Sequence, residues 1–322
     1  MELSTNLSGI LEIFQEVSPE IQAIQCPYRL FRYDKGSNRF YYRSNTSALV
    51  PYLSVTSFTQ MALPTSPHLI KWVGDNGNDL AAFKRDSKAE YGTLLHIEIG
   101  KALQQGGYDF TKLEMVLLES VSPNYRYQIG EWTHEMKKDL LSIFQFFKEK
   151  LVNVVGLEFP VYSDECGLAG TIDLIAEVRF GKSTVNALID FKSGKKGFFD
   201  AHQLQLATYK KMWNEHFGNI FNVTHIFNLA PTNWRKEPTY KFQNQTNSKY
   251  NGRTLELYLE LAKANGWIEP PTKMLDIIGK FEGGFDNFNY EDHIIDYTKT
   301  GFIDKNIHNG SMYQTRTQKQ AV

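Results

Sequence analysis

Three β-rich runs lie next to one another in the middle of the chain and are bracketed by helical periodicity. The predicted elements, in order, are a helix over residues 131–152, β-runs over 156–162, 170–178 and 185–192, a helix over 202–217 and a β-run over 223–229. This order of helix, three strands, helix and strand predicts a mixed sheet with helices on its faces. The fold class is therefore α/β or α+β.

The flanking regions are predicted from local signals. Residues 28–43 read as two aromatic strands around a glycine-containing turn, which predicts a β-hairpin. A helix is predicted from Asn78 to Gln104, ending at Gly106-Gly107, and another over 254–265. We divide the chain into an N-terminal accessory region (1–77), a central core (78–232) and a C-terminal helical extension with a polar tail (233–322).

Composition excludes several classes of protein. The chain has 322 residues with 35 Lys+Arg against 36 Asp+Glu, a formal charge of −1, which is unlike a histone-type coat for nucleic acid. Cys26 and Cys166 are too few for a four-cysteine iron–sulfur cluster. Because the sequence contains neither an apolar run of ~20 residues nor a basic leader before an apolar stretch, we expect a cytoplasmic protein without membrane association.

Each of the three central β-runs contains an acid, namely Glu158, Asp173 and Asp190. Side chains alternate along a strand, so Asp190 and Lys192 are predicted to share a face while Phe191 points the other way. A carboxylate inside an apolar run is costly unless it is paired. One solution is a buried ion pair with Lys192. The other is a divalent cation, for which oxygen ligands favour Mg²⁺ or Mn²⁺.

Two further groups are weak signals when taken alone. His96 follows Gly92-Thr93 in a predicted helix with apolar neighbours, where a histidine is commonly a satisfied core residue. Gln205 and Tyr209 are four residues apart, which places both on one helical face and is typical of any amphipathic helix.

Together these residues resemble the motif set of the PD-(D/E)XK nuclease superfamily, in its RecB-like branch. The motifs, all in family order over about residues 78–230, are Gly92-Thr-x-x-His96, Glu158, Gly170-Thr-Ile-Asp173, Asp190-Phe-Lys192 and Gln205-x-x-x-Tyr209. The proline of the family name is absent, since Ile172 precedes Asp173, as is common in this branch. Ser54-Val55-Thr56 is similar to a segment upstream of the core in the family of the mitochondrial genome-maintenance exonuclease and its phage and bacterial relatives; a helix N-cap explains it equally well.

The resemblance implies a restriction-endonuclease-like αβββαβ core and a role for each residue. His96, Asp173, Asp190 and the backbone carbonyl of Phe191 would hold one or two Mg²⁺ or Mn²⁺ ions. Lys192 would orient or deprotonate the attacking water and stabilise charge on the phosphate. Glu158 would lie at the edge of the cluster, as an outer-sphere or second-metal ligand. Gln205 and Tyr209 would position the scissile strand.

The segment after Lys192 carries a local excess of positive charge. Between residues 192 and 211 there are five lysines and one acid, Asp200. Within it, Lys195 and Lys196 are predicted to contact phosphates, and Phe198 or Phe199 to stack on bases. The alternative is that both rings cap the core.

The expected function is a metal-dependent DNA exonuclease that favours single-stranded ends, acting in recombination, repair or replication of bacterial or phage DNA in the cytoplasm of a bacterial or phage-infected cell. An endonuclease or a duplex-specific recombination exonuclease on the same core is the nearest alternative. A non-catalytic nucleic-acid-binding module is the alternative of another class. Residues 1–77 and 233–322 are candidates for guiding a strand or for binding a partner protein.

Overall fold

The structure is a computed structural model that describes residues 20–21, 28–35, 38–44, 49–195, 197–269 and 295–296. Through these residues runs a mixed β-sheet whose two faces are covered by helices. This is the mixed α/β architecture that the sequence predicts. Within the described residues, no helix has both the length and the apolar character needed to cross a membrane.

The strands are β1 (Glu20–Ile21), β2 (Arg29–Lys35), β3 (Asn38–Ser44), β4 (Leu49–Ser54), β5 (Leu151–Ser163), β6 (Leu168–Phe180), β7 (Ser183–Phe191), β8 (His225–Pro231), β9 (Tyr240–Asn244) and β10 (Ile295–Asp296). Their order is β10-β2-β3-β4-β6-β7-β8-β9, with β5 paired to β6 and β1 paired to β5. Strand β6 is thus the centre of the sheet: β5 follows one of its edges, and β4 and then β7 follow the other.

The helices are α1 (Val55–Ala62), α2 (Pro67–Asn76), α3 (Asn78–Gln105), α4 (Leu113–Ser120), α5 (Ile129–Lys150), α6 (Asp200–Phe217) and α7 (Arg253–Ala264). The predicted order of helix, three strands, helix and strand is confirmed by α5, β5, β6, β7, α6 and β8. The prediction extends α5 to Val152, whereas a strand begins at Leu151. The valine-rich run at this point pairs with β6, and β-branched residues pack well on a sheet.

Two hydrophobic cores lie on opposite faces of the sheet. One contains buried residues of α3, α4 and α5, together with Leu174, Ile189 and Phe191. The other contains buried residues of α1 and α6, together with Ile175 and Leu188. Neighbouring residues of β7 thus face different cores, as the alternation of a strand requires.

The N-terminal hairpin is confirmed by the antiparallel pairing of β2 with β3. Its sheet continues into the core, which the sequence did not predict, because Leu53 and Ser54 of β4 pair in parallel with the start of β6. Ser54 then caps α1: its Oγ accepts a hydrogen bond from the Ser57 N–H at 2.9 Å. The helix N-cap is therefore the observed role of Ser54.

Candidate metal centre

Strands β6 and β7 separate at the position of the predicted acids. Their antiparallel ladder ends at the pair Leu174–Ile189, while β7 continues along β8 as far as Phe191. Beyond the ladder, the Phe191 N–H donates to Asp173 Oδ2 at 2.7 Å. A side-chain carboxylate thus occupies the place of the missing backbone acceptor at the point where the two strands separate.

His96, Glu158 and Asp173 come together where β6 and β7 separate. Each offers one ligand atom, and these atoms lie within 4.8 Å of one another. His96 Nδ1 is 3.5 Å from Glu158 Oε1 and 3.7 Å from Asp173 Oδ1, and its Nε2 is 3.1 Å from the Phe191 carbonyl oxygen. All three side chains are partly buried, so a cation bound here would be reachable from solvent.

Helix α3 carries His96 to this position. Leu94 and Leu95, next to it in sequence, are buried in the core on the same face of the sheet as Phe191. One turn earlier, a Cβ on Gly92 would lie 3.1 Å from Ser193 Oγ. The glycine therefore lets α3 approach the segment that follows Lys192, which explains its place one turn before the histidine.

Glu158 has an unusual backbone. Its φ is +47°, the single positive φ among the described residues other than glycines. The register places it across from Asp173, since Leu157 pairs with Leu174 and Phe159 with Ile172. A left-handed conformation costs a non-glycine residue roughly 1–2 kcal/mol. The strain turns the Glu158 carboxylate toward His96.

The charges in the cluster shift two pKa values. For His96, burial lowers the pKa, but the Asp173 and Glu158 carboxylates outweigh it and raise the pKa to about 9. For Asp173, burial and the nearby Asp190 and Glu158 carboxylates raise the pKa to about 7, against the opposing effect of His96 and Lys192. Carboxylates crowded into a partly buried site, with one imidazole, are a donor set that a hard divalent cation fits.

Asp190 and Lys192 form an adjoining cluster. Asp190 is buried, and its Oδ1 accepts from Lys192 Nζ at 2.7 Å, while its Oδ2 accepts from Asn228 Nδ2 at 2.8 Å. The predicted shared face of Asp190 and Lys192 is confirmed by this contact. Asp190 is not part of the group formed by His96, Glu158 and Asp173. Each carboxylate oxygen has a second lone pair, so ligation by Asp190 stays a prediction.

Gln205 and Tyr209 join this cluster from α6. Gln205 Oε1 is 3.4 Å from Lys192 Nζ, and Gln205 is one of the groups that affect the pKa of Tyr209, which burial raises. Tyr209 is 4% exposed, so its ring has little surface to offer to DNA, and a direct contact with the scissile strand stays a prediction. A Cβ on Gly170 would lie 2.6 Å from the Tyr209 hydroxyl oxygen, which links the glycine of one motif to the tyrosine of another.

Lys195 forms ion pairs with two acids of α5, and its predicted phosphate contact stays a prediction. Its Nζ lies 2.8 Å from Glu135 and 2.9 Å from the fully buried Asp139, which also accepts from the Tyr91 hydroxyl at 2.8 Å. The charge of Lys195 is thus neutralised by α5, and the side chain anchors the loop to the core. The prediction overlooked these acids because they lie about 60 residues away in sequence. Lys196, predicted alongside, lies outside the described residues.

The two phenylalanines of the loop are not core residues. Phe199 is 61% exposed and Phe198 is partly buried. Both rings lie beside His202, at centroid distances of 5.5 Å and 6.4 Å. The core-capping alternative is therefore wrong for Phe199, and stacking on bases stays a prediction for this ring.

Three site neighbours were missed from sequence. His202 lies near Lys192 and Asp190, and burial together with the Lys192 charge lowers its pKa to about 4. Asn228 contacts Asp190, and Gln245 contacts Asn228. Asn228 could have been noticed in the sequence, since it interrupts the apolar strand Ile-Phe-Asn-Leu-Ala.

No family model and no curated protein matches the chain, so its function is inferred from the residues of this site.

Proposed function

We propose that the protein is a divalent-metal-dependent deoxyribonuclease that hydrolyses phosphodiester bonds, with a preference for single-stranded ends. The observation that carries the proposal is that two clusters lie where β6 and β7 separate. One is the candidate metal group of His96, Glu158 and Asp173. The other is the Asp190–Lys192 pair on the neighbouring strand.

Mg²⁺ or Mn²⁺ would be held by His96, Glu158 and Asp173, with Asp190 and the Phe191 carbonyl as further ligands. When bound, such a cation supplies Lewis acidity, lowering the pKa of water and neutralising phosphate charge. Below a pKa of about 9 the His96 imidazole is charged, so it would have to lose its proton before it could hold a cation.

Lys192 supplies the fixed positive charge that phosphodiester hydrolysis requires. Its ammonium group is held between Asp190 Oδ1 and Gln205 Oε1, so it is oriented before substrate arrives. From there it orients the attacking water and stabilises negative charge on the phosphate oxygens. Gln205 provides the second contact of the lysine.

The loop between Lys192 and α6 exposes an aromatic ring that suits a nucleic-acid strand with unpaired bases. Phe199 is exposed at the start of α6, in the loop that begins at Lys192. This ring lies next to His202, which is itself near Lys192 and Asp190, and it provides a stacking surface for a base, which contributes roughly 1–3 kcal/mol per base. Stacking of this kind is open to unpaired bases and favours single-stranded substrate.

The test is cleavage of end-labelled single-stranded and duplex DNA with Mg²⁺ or Mn²⁺, with circular single-stranded DNA alongside. We expect wild type to degrade linear single strands and leave circles intact. Asp173→Asn and Lys192→Met should lose activity, whereas Arg253→Met, at an exposed pair on α7, should keep it.

No cleavage of any DNA by folded wild type, or wild-type activity in Asp173→Asn, would overturn the proposal. Cleavage of circles would instead assign the site to an endonuclease.

A further inference from the structure

The Asp190 carboxylate accepts a hydrogen bond from the side-chain amide of Asn228. Asp190 and Asn228 are directly paired across the parallel strands β7 and β8. Asn228 is fully buried, and its Nδ2 donates to Asp190 Oδ2 at 2.8 Å. Lys192 Nζ contacts the other carboxylate oxygen at 2.7 Å. The plane of the carboxylate is therefore set by two donors on two sides.

The orientation of the Asn228 amide is determined by its neighbours. Asp190 only accepts hydrogen bonds when ionised, so Nδ2 of Asn228 must face it and Oδ1 must face away. On that far side, Gln245 Nε2 donates to Asn228 Oδ1 at 3.2 Å. Gln245 is itself 4% exposed, and its backbone N–H donates to the Ile226 carbonyl oxygen at 2.8 Å.

The pattern of β8 favours an apolar residue at this buried position, since Ile226 and Ala230, which share the face of Asn228, are buried hydrophobic residues. A buried amide contributes little net stability compared with an apolar residue of the same shape. Its distinctive property is direction: it donates to one group and accepts from another. The chain Gln245 to Asn228 to Asp190 ends at the carboxylate that holds Lys192.

We propose that Asn228 is a positioning residue that fixes the Asp190 carboxylate, and that Gln245 sets the direction of the Asn228 amide. The consequence rests on the proposed function: Asp190, held in this way, keeps Lys192 and any bound cation in the geometry of the reaction. Hydrogen-bond partners of metal-site carboxylates commonly change affinity or activity by about 10–100-fold when they are removed.

The first test compares Asn228→Leu with Asn214→Leu in single-strand DNA hydrolysis with Mg²⁺. Asn214 is a matched control, because its amide makes two hydrogen bonds to the Val223 backbone and it lies outside both clusters. We expect both variants to melt at lower temperature. Only Asn228→Leu should lower kcat, by about tenfold or more, with KM within about twofold. An unchanged kcat in folded Asn228→Leu would overturn the proposal.

The second test asks whether Gln245 acts through Asn228. Gln245→Met alone should lower kcat by about threefold, and should add nothing in an Asn228→Leu background. An equal effect of Gln245→Met in both backgrounds would show that it acts elsewhere.

A readout independent of catalysis separates this proposal from the proposed function. In the metal-free protein, the side-chain amide resonances of Asn228, assigned by their loss in Asn228→Leu, should shift in both Asp190→Asn and Gln245→Met. Asn228 resonances that are unchanged in both variants would contradict the hydrogen-bond chain from Gln245 through Asn228 to Asp190. If wild type cleaves no DNA but the resonances respond as expected, the proposed function fails while the network stands.

Discussion

The Asp173 carboxylate accepts the backbone N–H of Phe191 at 2.7 Å, immediately beyond the last pair of the β6–β7 ladder. This hydrogen bond replaces a lost ladder bond, and it leaves Asp173 Oδ1 facing His96. The same residue, Phe191, presents its carbonyl oxygen to His96 Nε2. One peptide segment therefore orients both an acid and an imidazole of the candidate metal centre, and connects them to the strand that carries Asp190.

Metal-free protein should become less stable as pH rises, because both shifted groups bind protons more tightly when folded. For His96, stabilisation is complete below its ordinary pKa of 6.5 and is lost as pH rises through about 9. For Asp173, the free energy of unfolding decreases as pH rises from its ordinary pKa of 3.8 to its raised pKa of about 7. Urea unfolding in EDTA across this range should show the loss, on the order of 3 kcal/mol over the His96 window. His96→Gln should reduce the pH dependence of stability above about pH 6.5. An unchanged pH dependence in this variant would show that His96 is not the group responsible.

Apparent Mn²⁺ affinity should rise with pH, since the cation competes with the proton on His96. One released proton predicts about a tenfold gain per unit between about pH 7 and 8.5, and a steeper gain below that, where Asp173 must also ionise. Calorimetric titration in buffers of different ionisation enthalpy measures both the affinity and the proton release. Binding that is independent of pH, or that survives Asp173→Asn unchanged, would show that the metal lies elsewhere.

Glu158→Gly should relieve backbone strain while removing a ligand. At a φ of +47°, glycine should be more stable than alanine by about 1 kcal/mol, so Glu158→Gly should resist urea better than Glu158→Ala in EDTA. Both variants should lose Mn²⁺ affinity equally, because neither has a carboxylate. If Glu158→Ala proved more stable than Glu158→Gly, residue 158 would not have a left-handed backbone. If either variant bound Mn²⁺ as wild type does, Glu158 would not be a ligand.

Lys195→Met should destabilise the protein by about 2–4 kcal/mol, because it leaves the buried Asp139 without its cation. Lys211→Met is the control: its pair with the exposed Glu165 should contribute less than about 1 kcal/mol. Urea unfolding gives both values. The salt dependence of DNA binding should be unchanged in Lys195→Met, whereas a lysine that contacts phosphate would reduce the slope by about one. A weaker salt dependence of DNA binding in Lys195→Met would support the predicted phosphate contact of Lys195.

Gly170→Ala should push Tyr209 away from Gln205, because the new Cβ would lie 2.6 Å from the tyrosine hydroxyl oxygen. We expect a cost of about 1–3 kcal/mol, the range for overpacking a well-filled core. The cost should be smaller in a Tyr209→Phe background, where the hydroxyl is gone. A double-mutant cycle in urea measures this coupling, and additive effects would show that the two residues do not meet.

Local features of the sequence were sufficient to predict the order of α5, β5, β6, β7, α6 and β8, the helix that carries His96, and the shared face of Asp190 and Lys192. Periodicity, alternation and glycine stops depend on residues close together in the chain. Other features required the tertiary structure: the pairing of Lys195 with Asp139, the left-handed backbone at Glu158 and the contact of Gln245 with Asn228. Each depends on groups brought together across the fold, and one sequence leaves no local trace of such a partner.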